Sequence, residues 1–325
     1  MLIVFHGENA SSFSPGFSGL LDIDAEIVEL PDELSSENDR QTYARADVIV
    51  GTKYSGKLPY PAGLKLFHVP GAGYDAVDLD ALPASADVCN CFGHEQAIAE
   101  YVMAALLARH VPLADADSRL RKGDWKYWAG AADRVHDELA GKTIGLLGFG
   151  HIGKAIAARA KAFEMTVHVA NRSPVAASPL LDRSFLLNDL GGFWENADFV
   201  VVSVPLTDET AGIVGAEAFK AMKPSAVVFN VGRGPTIDEA ALFEALTAGQ
   251  IGGAVIDTWY QYPKPGEGGV SPSRLPFHEL TNVVMTPHMS GWTNGTIRRR
   301  QKTIADNIAH RTRGEPLVNL VRRGT

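Results

Sequence analysis

The chain has 325 residues, 46% of them hydrophobic and 21% charged, which is enough to bury two cores of ordinary domain size. A formal net charge of −8 argues against nucleic acid or an anionic membrane as a partner, because either would be repelled without a compensating basic patch. The one basic cluster, Arg298-Arg299-Arg300, falls in a helical stretch and reads as a solvated or interface face. The two cysteines, Cys89 and Cys91, cannot staple a fold of this size. With only His94 nearby they are too few for a structural zinc, so no metal site is expected and buried free thiols in a reducing compartment fit best.

In chain order, the opening Met1-Leu2-Ile3-Val4-Phe5 lacks a basic leader and a small-residue cleavage pattern, and reads as a first strand rather than a signal peptide. No apolar run approaches bilayer length, so the expectation is a soluble, cytoplasmic protein. Strand-like segments at 2–5, 26–30, 48–50, 66–68 and 88–91 alternate with polar or Gly/Pro-rich turns, which predicts βα units and a parallel sheet. From 95 to about 121 the apolar residues Ile98, Tyr101, Val102, Ala105 and Leu106 recur at helical steps, giving a packing stripe on one long connecting helix. Further strands are expected at 166–170, 199–204, 226–231, 253–256 and 283–286, and a closing helix at 293–311 that returns to the first domain. No internal repeat is present.

A hydrophobic strand runs into Gly148-Phe149-Gly150-His151-Ile152-Gly153, and an alanine-rich helix follows at 154–163. Gly-x-Gly-x-x-Gly alone is weak, but between strand and helix it meets the conditions of the dinucleotide fingerprint. Gly148 serves the tight turn, Gly150 lets backbone approach a pyrophosphate, and Gly153 lets helix and strand pack closely. The helix N-terminus then offers free N–H groups to the anion. The next strand ends in Asn171-Arg172-Ser173, where NAD enzymes carry an acid for the ribose hydroxyls. Arg172 can pair with a 2′-phosphate, and Asn171 and Ser173 can donate to it, which favours NADP over NAD while leaving dual use or a mere surface turn open.

Polar residues then gather at expected strand ends: Asn230-Val231-Gly232-Arg233-Gly234, Asp257-Thr258-Trp259, and Thr286-Pro287-His288-Met289-Ser290-Gly291. An open α/β sheet places its ligand crevice there. Arg233 has the planar fork that binds two oxygens at once, and His288 titrates near neutrality.

With these stretches, Val204-Pro205-Leu206-Thr207-Asp208-Glu209-Thr210, Asp238, Gly71-Ala72-Gly73-Tyr74-Asp75 and Ala97-Ile98-Ala99-Glu100, nearly the whole chain resembles the D-isomer-specific 2-hydroxyacid dehydrogenase family. The resemblance implies an α/β protein of two Rossmann-like, doubly wound parallel-sheet domains. A cofactor domain, residues 101–291, would be inserted into a split, flavodoxin-like substrate domain, 1–100 with 292–325. It implies hydride transfer between NADP, or NAD, and a small 2-keto or 2-hydroxy acid, with glyoxylate or hydroxypyruvate as the substrate guess, and a homodimer joined through the cofactor domain. Carried over residue by residue, Arg233 binds and polarises substrate, His288 is the acid/base, and the backbone at Ala72 and Gly73 holds the carboxylate. Asp257 lies beside the nicotinamide. The cofactor contacts extend to Val204, Pro205, Thr210, Val231, Gly232 and Gly291.

One position departs from the family. Its members place a glutamate five residues after the equivalent of Asp257, before a proline, paired with the catalytic histidine; here Tyr262 precedes Pro263, with Gln261 adjacent. Tyr262 or Gln261 orients His288 without charging it, as a glutamine does in the formate dehydrogenase branch, or Glu267 or Glu279 reaches in from the Gly/Pro-rich segment. The departure keeps a formate- or phosphite-oxidising enzyme open as an alternative, and the shared fold keeps a nicotinamide-sensing corepressor open as another. Trp125, Tyr127 and Trp128 form an aromatic knot read as packing or dimer interface. His6, His94 with Glu95, and Trp292 are read as surface, capping and packing residues with a second reading near the substrate mouth.

Overall fold

A computed structural model describes residues 1–130, 132–263 and 267–325. In chain order its elements are β1 (Leu2–His6), α1 (Glu8–Ser11), β2 (Glu26–Leu30), α2 (Glu37–Ala44), β3 (Val48–Gly51), β4 (Leu66–His68), β5 (Asp87–Cys89), α3 (Glu95–His110) and α4 (Leu113–Leu120). There follow β6 (Thr143–Leu147), α5 (His151–Ala162), β7 (Thr166–Asn171), β8 (Arg183–Leu186), α6 (Gly191–Asn196), β9 (Phe199–Val202), α7 (Ala216–Ala221) and β10 (Val227–Asn230). The chain closes with α8 (Glu239–Thr247), β11 (Gly253–Ile256), β12 (Val283–Met285), α9 (Asn294–Arg313) and β13 (Leu320–Arg322). Contacts divide the chain into two units, Met1–Gly93 with Trp292–Thr325, and His94–Gly291.

In the first unit the sheet runs β13-β5-β4-β3-β1-β2. The five strands from the N-terminal segment are parallel, in a flavodoxin-like order. β13 adds an antiparallel edge against β5, a pairing that the sequence pattern did not announce. Ile304, Ala305 and Ile308 of α9 bury against Ile3, Phe5, Val50 and Leu66, so the C-terminal helix completes this core. Thr293 caps α9 by accepting from the Thr296 N–H, and Gly314 ends it at φ 71°, a left-handed residue that suits glycine. Buried Asn307 pins the helix from within: its Nδ2 donates to His68 Nε2 at 2.9 Å and to the Val318 carbonyl at 2.9 Å. Complete burial drives the His68 pKa down to about 4, so the ring stays neutral.

The basic cluster on α9 is exposed at Arg298 and Arg299, as a solvated face requires, but not at Arg300. Arg300 is buried and its Nε donates to the Phe92 carbonyl, while Arg299 Nε donates to the Gly93 carbonyl at 2.7 Å. Both guanidinium groups satisfy loop carbonyls that water would otherwise have to reach. Cys89 and Cys91 are free and buried, and burial pushes both thiols up to about 12.

The second unit holds a seven-stranded sheet in the order β12-β11-β10-β9-β6-β7-β8, parallel throughout. This is the doubly wound dinucleotide-binding order, with the reversal between β6 and β9. Every residue of β9, β10 and β11 is buried, as strands covered on both faces require. The expected boundary at 100/101 falls inside α3, and the contacts place the whole helix in this unit, where Val102, Met103 and Leu106 pack with Ile156 and Ala160 of α5. Nor is the connector one long helix. Val111 is extended and Pro112 has no N–H to continue the ladder, so α3 ends at His110 and α4 restarts at a bend of 47°. Among the described residues no single helix is long and apolar enough to cross a membrane.

Phe229, at the centre of β10, is fully buried. Phe229→Ala is expected to lower unfolding stability by about 3–5 kcal/mol in urea denaturation, because the cavity lies between two covered sheet faces.

Candidate active site

The polar residues singled out in the sequence stand at the C-terminal ends of strands of one sheet, after β6, β7, β9, β10, β11 and β12. After β6, Gly148 adopts φ +104°, a conformation that a side chain strains. A Cβ on Gly153 would stand 2.2 Å from the Gly148 carbonyl oxygen, whereas one on Gly150 would meet open space. The cradle is therefore closed where helix meets strand and open where a ligand would approach. α5 begins at Gly150 with no side-chain cap, so its first N–H groups face that opening, in reach of a phosphate. These residues fit the pyrophosphate of a dinucleotide.

The loops after β9 and β10 close on the same side. Thr210 Oγ1 donates to the Pro205 carbonyl at 2.6 Å and accepts from the Thr207 N–H at 2.8 Å, which folds the Val204–Thr210 segment on itself. A Cβ on Gly232 would lie 2.8 Å from the Val204 carbonyl oxygen, so Val231-Gly232 passes directly over that loop. After β7, Asn171 Nδ2 donates to the Ser173 carbonyl at 3.1 Å, and exposed Arg172 has no side-chain partner among the described residues.

Arg233 sits on the turn after β10. Asn230 shapes that turn, donating to the Arg233 carbonyl at 3.0 Å and accepting from the Gly232 N–H at 3.2 Å. Thr236 Oγ1 donates to the same Arg233 carbonyl at 2.6 Å. The guanidinium is half-buried, and its charge is felt at both His288 and Tyr262.

His288 stands in the left-handed region at φ 57°, a costly conformation for a residue with a side chain. Asp257, fully buried at the end of β11, supports it. One Asp257 oxygen accepts from the Met289 N–H at 2.8 Å and from Thr286 Oγ1 at 2.6 Å; the other accepts from the Ser290 N–H at 3.0 Å. The left-handed turn aims two successive N–H groups at one carboxylate, an anion nest made within the chain. Tyr101 OH lies 2.7 Å from Thr286 Oγ1, and Trp259 Nε1 donates to the Thr286 carbonyl at 2.8 Å. Tyr101 counted in the sequence as part of an apolar stripe; its hydroxyl belongs to this site, and period alone gives no sign of it. Thr286, in sequence only a neighbour of Pro287-His288, joins the site through its hydroxyl.

His288 Nδ1 faces Tyr262 OH at 3.0 Å, and that hydroxyl accepts from the Trp259 N–H at 3.0 Å. Gln261 makes no hydrogen bond to His288 among the described residues; its backbone N–H donates to the Pro272 carbonyl. Glu279 is exposed beside His278 and does not reach in. Desolvation lowers the His288 pKa and the Arg233 charge lowers it further, while the Asp257 charge opposes both. Burial raises the Tyr262 pKa, so its hydroxyl is neutral near pH 7.

Other singled-out residues lie elsewhere. In the first unit, the Ala72 carbonyl accepts from Asn90 Nδ2 at 2.7 Å, and the Ala72 and Gly73 N–H groups donate to no partner among the described residues. His6 is buried against Tyr43 rather than solvated, and Trp292 packs edge-on against Phe13. His94 begins α3 without a side-chain cap bond. Trp125 and Trp128 are 61% and 57% exposed and do not pack inside the chain, whereas half-buried Tyr127 donates its hydroxyl to Asp115 at 2.8 Å.

The sequence model of the D-isomer specific 2-hydroxyacid dehydrogenase NAD binding domain matches residues 103–290. The chain belongs to that family. It is 34% identical over 264 residues to a glyoxylate reductase of Thermococcus gammatolerans, covering 77% of this chain and 74% of the relative. It spans about half the length of two archaeal D-3-phosphoglycerate dehydrogenases that it also matches, 55% and 50% of each. Its fold superposes on a family protein of Aeromonas salmonicida with a TM-score of 0.81, 25% identity and 98% of both chains covered. A second superposition, at TM-score 0.75 and 27% identity over 98% of this chain and 96% of the other, is with an NADPH-dependent glyoxylate/hydroxypyruvate reductase of Sinorhizobium meliloti in complex with NADP and malonate. As a member of this family the chain is an oxidoreductase with an NAD-binding Rossmann domain.

Asp257→Ala strands the buried Ser290 N–H, the part-buried Met289 N–H and the Thr286 hydroxyl. It is expected to lower stability by about 3 kcal/mol in chemical denaturation, and to raise hydrogen exchange at Met289 and Ser290 above that of β10.

Proposed function

We propose that the protein is an NADP-preferring reductase of a small 2-keto acid, glyoxylate or hydroxypyruvate, with NAD as a weaker cofactor. The observation that carries this reading is the placement of Arg233, Asp257 and His288 at the strand ends of the sheet that bears the glycine cradle. When bound, the nicotinamide supplies the hydride that adds to the carbonyl carbon. Arg233 binds the carboxylate and carbonyl oxygens through its planar fork and draws electron density toward oxygen. His288 delivers a proton to that oxygen as negative charge develops, and takes it back in the oxidative direction. The free N–H groups of Ala72 and Gly73 are the proposed carboxylate donors of the first unit, and Asp257 holds the posture of His288 beside the nicotinamide.

The 148–153 cradle and the α5 N-terminus take the pyrophosphate. Phe149, His151 and Ile152 lie along it, and Val204, Pro205, Thr210, Val231, Gly232 and Gly291 complete the wall. Arg172, with Asn171 and Ser173, takes the 2′-phosphate; its exposure and lack of a partner support that role. Enzymatic relatives named as reductases favour this reading over a corepressor. A homodimer through residues 101–291 is supported by the exposure of Leu113 (74%), Trp125, Trp128 and Val135 (76%), and the two free thiols support a cytoplasmic location.

Steady-state assays with NADPH and with NADH against glyoxylate, hydroxypyruvate and pyruvate test the proposal. Turnover of a 2-keto acid with NADPH well above NADH is expected. Arg172→Ala should cut kcat/KM for NADPH by about ten- to hundredfold and leave NADH nearly unchanged. His288→Ala should lower kcat by about 10²–10⁴. Tight NADPH binding without turnover of any keto acid would sink the substrate assignment.

A further inference from the structure

We infer that Tyr262 is a positioning residue for His288: a neutral hydroxyl that donates to Nδ1 of the resting imidazole and turns to accept from Nδ1–H of the imidazolium. The inference rests on the reading of His288 as the acid/base group. Its geometric basis is the pair of 3.0 Å contacts at the one phenolic oxygen, from the Trp259 N–H and from His288 Nδ1. Trp259 can only donate, so it occupies one lone pair of the oxygen in every state. In the resting state the phenolic proton is then directed at Nδ1. That leaves the single ring proton of the resting state on Nε2, the nitrogen away from Tyr262. After protonation Nδ1–H donates to the second lone pair of the oxygen, and the phenolic proton turns outward. Solvent can receive it, because Tyr262 is 49% exposed.

A phenol supports both protonation states with one hydrogen bond each, and a carboxylate would not. A carboxylate accepts only, so it requires Nδ1–H and attracts the imidazolium charge. Among the described residues, the charged and titratable groups acting on His288 are Arg233 after β10, Asp257 after β11 and Tyr262 itself. Asp257 opposes the lowering of the His288 pKa through its field, but its oxygens are engaged by Thr286, Met289 and Ser290. With a neutral partner at Nδ1 the imidazolium gains no ion pair, and its pKa lies below the ordinary 6.5. Reduction needs the protonated ring, so it fails as pH rises through that lowered value. Oxidation needs the neutral ring with Nε2 bare and its one proton on Nδ1, accepted by the phenolic oxygen, and so extends to lower pH than a carboxylate-paired histidine allows.

The test compares the wild-type chain with Tyr262→Phe and Tyr262→Glu in two readouts. One is ¹⁵N NMR of the imidazole nitrogens during a pH titration, with no substrate present; the other is the pH profile of kcat/KM for keto-acid reduction. For wild type, NMR should show the Nε2–H tautomer above the His288 pKa. In Tyr262→Phe that preference should vanish and kcat should fall by about three- to tenfold. In Tyr262→Glu, the His288 pKa and the falling limb of the reduction profile should both move upward by about one pH unit or more. Unshifted pKa and unshifted limb in Tyr262→Glu, with NADPH binding intact as the check on folding, would overturn the inference, as would an unchanged tautomer in Tyr262→Phe. If no chain reduces a keto acid, the reaction assignment fails; the NMR arm still decides the role of Tyr262.

Discussion

A single buried carboxylate holds the reacting end of this molecule in shape. Asp257 sits at the end of β11 with no solvent contact, and its two oxygens collect the hydroxyl of Thr286 and the N–H groups of Met289 and Ser290. A buried charge of that kind is tolerable only when hydrogen bonds replace water, and the nest does so. In return it stabilises the left-handed backbone at His288, which would otherwise relax to an ordinary conformation and swing the ring away. The strain and the buried charge are each unfavourable alone and compensate one another together.

The cofactor side obeys a different constraint, the closeness of backbone to backbone. Gly153 leaves no room for a methyl group beside the Gly148 carbonyl, and Gly232 leaves none above the Val204 carbonyl. Gly234 is as tight, since a Cβ there would stand 2.2 Å from the Trp259 carbonyl oxygen. The Trp259 peptide thus touches the Arg233 turn on one side and, through its N–H, the Tyr262 hydroxyl on the other. Glycine at 234 therefore couples the position of Arg233 to that of the His288 partner, so chain packing sets the geometry of the proposed site.

How much of this is legible in the sequence depends on the kind of signal. The parallel sheets are legible because β9, β10 and β11 are buried on both faces and so appear as unbroken Val/Ile/Phe runs. The glycine cradle is legible because close approach admits only one residue type. β8 and β13 are not, since both are short edge strands with partly exposed residues and no apolar run. The break after α3 is legible as Pro112 but competes with the periodicity around it, and the inward turn of Arg300 is hidden because charge suggests solvent. At the site, His288, Arg233 and Asp257 were legible by residue type. The network that links Tyr101 to Thr286 and Trp259 to Tyr262 joins residues 185 and 3 positions apart, and only the tertiary fold supplies the first of these.

The departure at Tyr262 follows the same logic of divided labour. In a histidine–carboxylate pair, one group both orients the ring and sets its affinity for a proton. Here the two tasks fall to different residues. Asp257 fixes where the ring stands but has no direct hydrogen bond to it, so its charge reaches His288 only as a field, opposed by Arg233. Tyr262 makes the direct contact but carries no charge near neutral pH. Orientation and basicity then become separable, because a change at residue 262 alters the proton affinity of His288 without disturbing the nest beneath it.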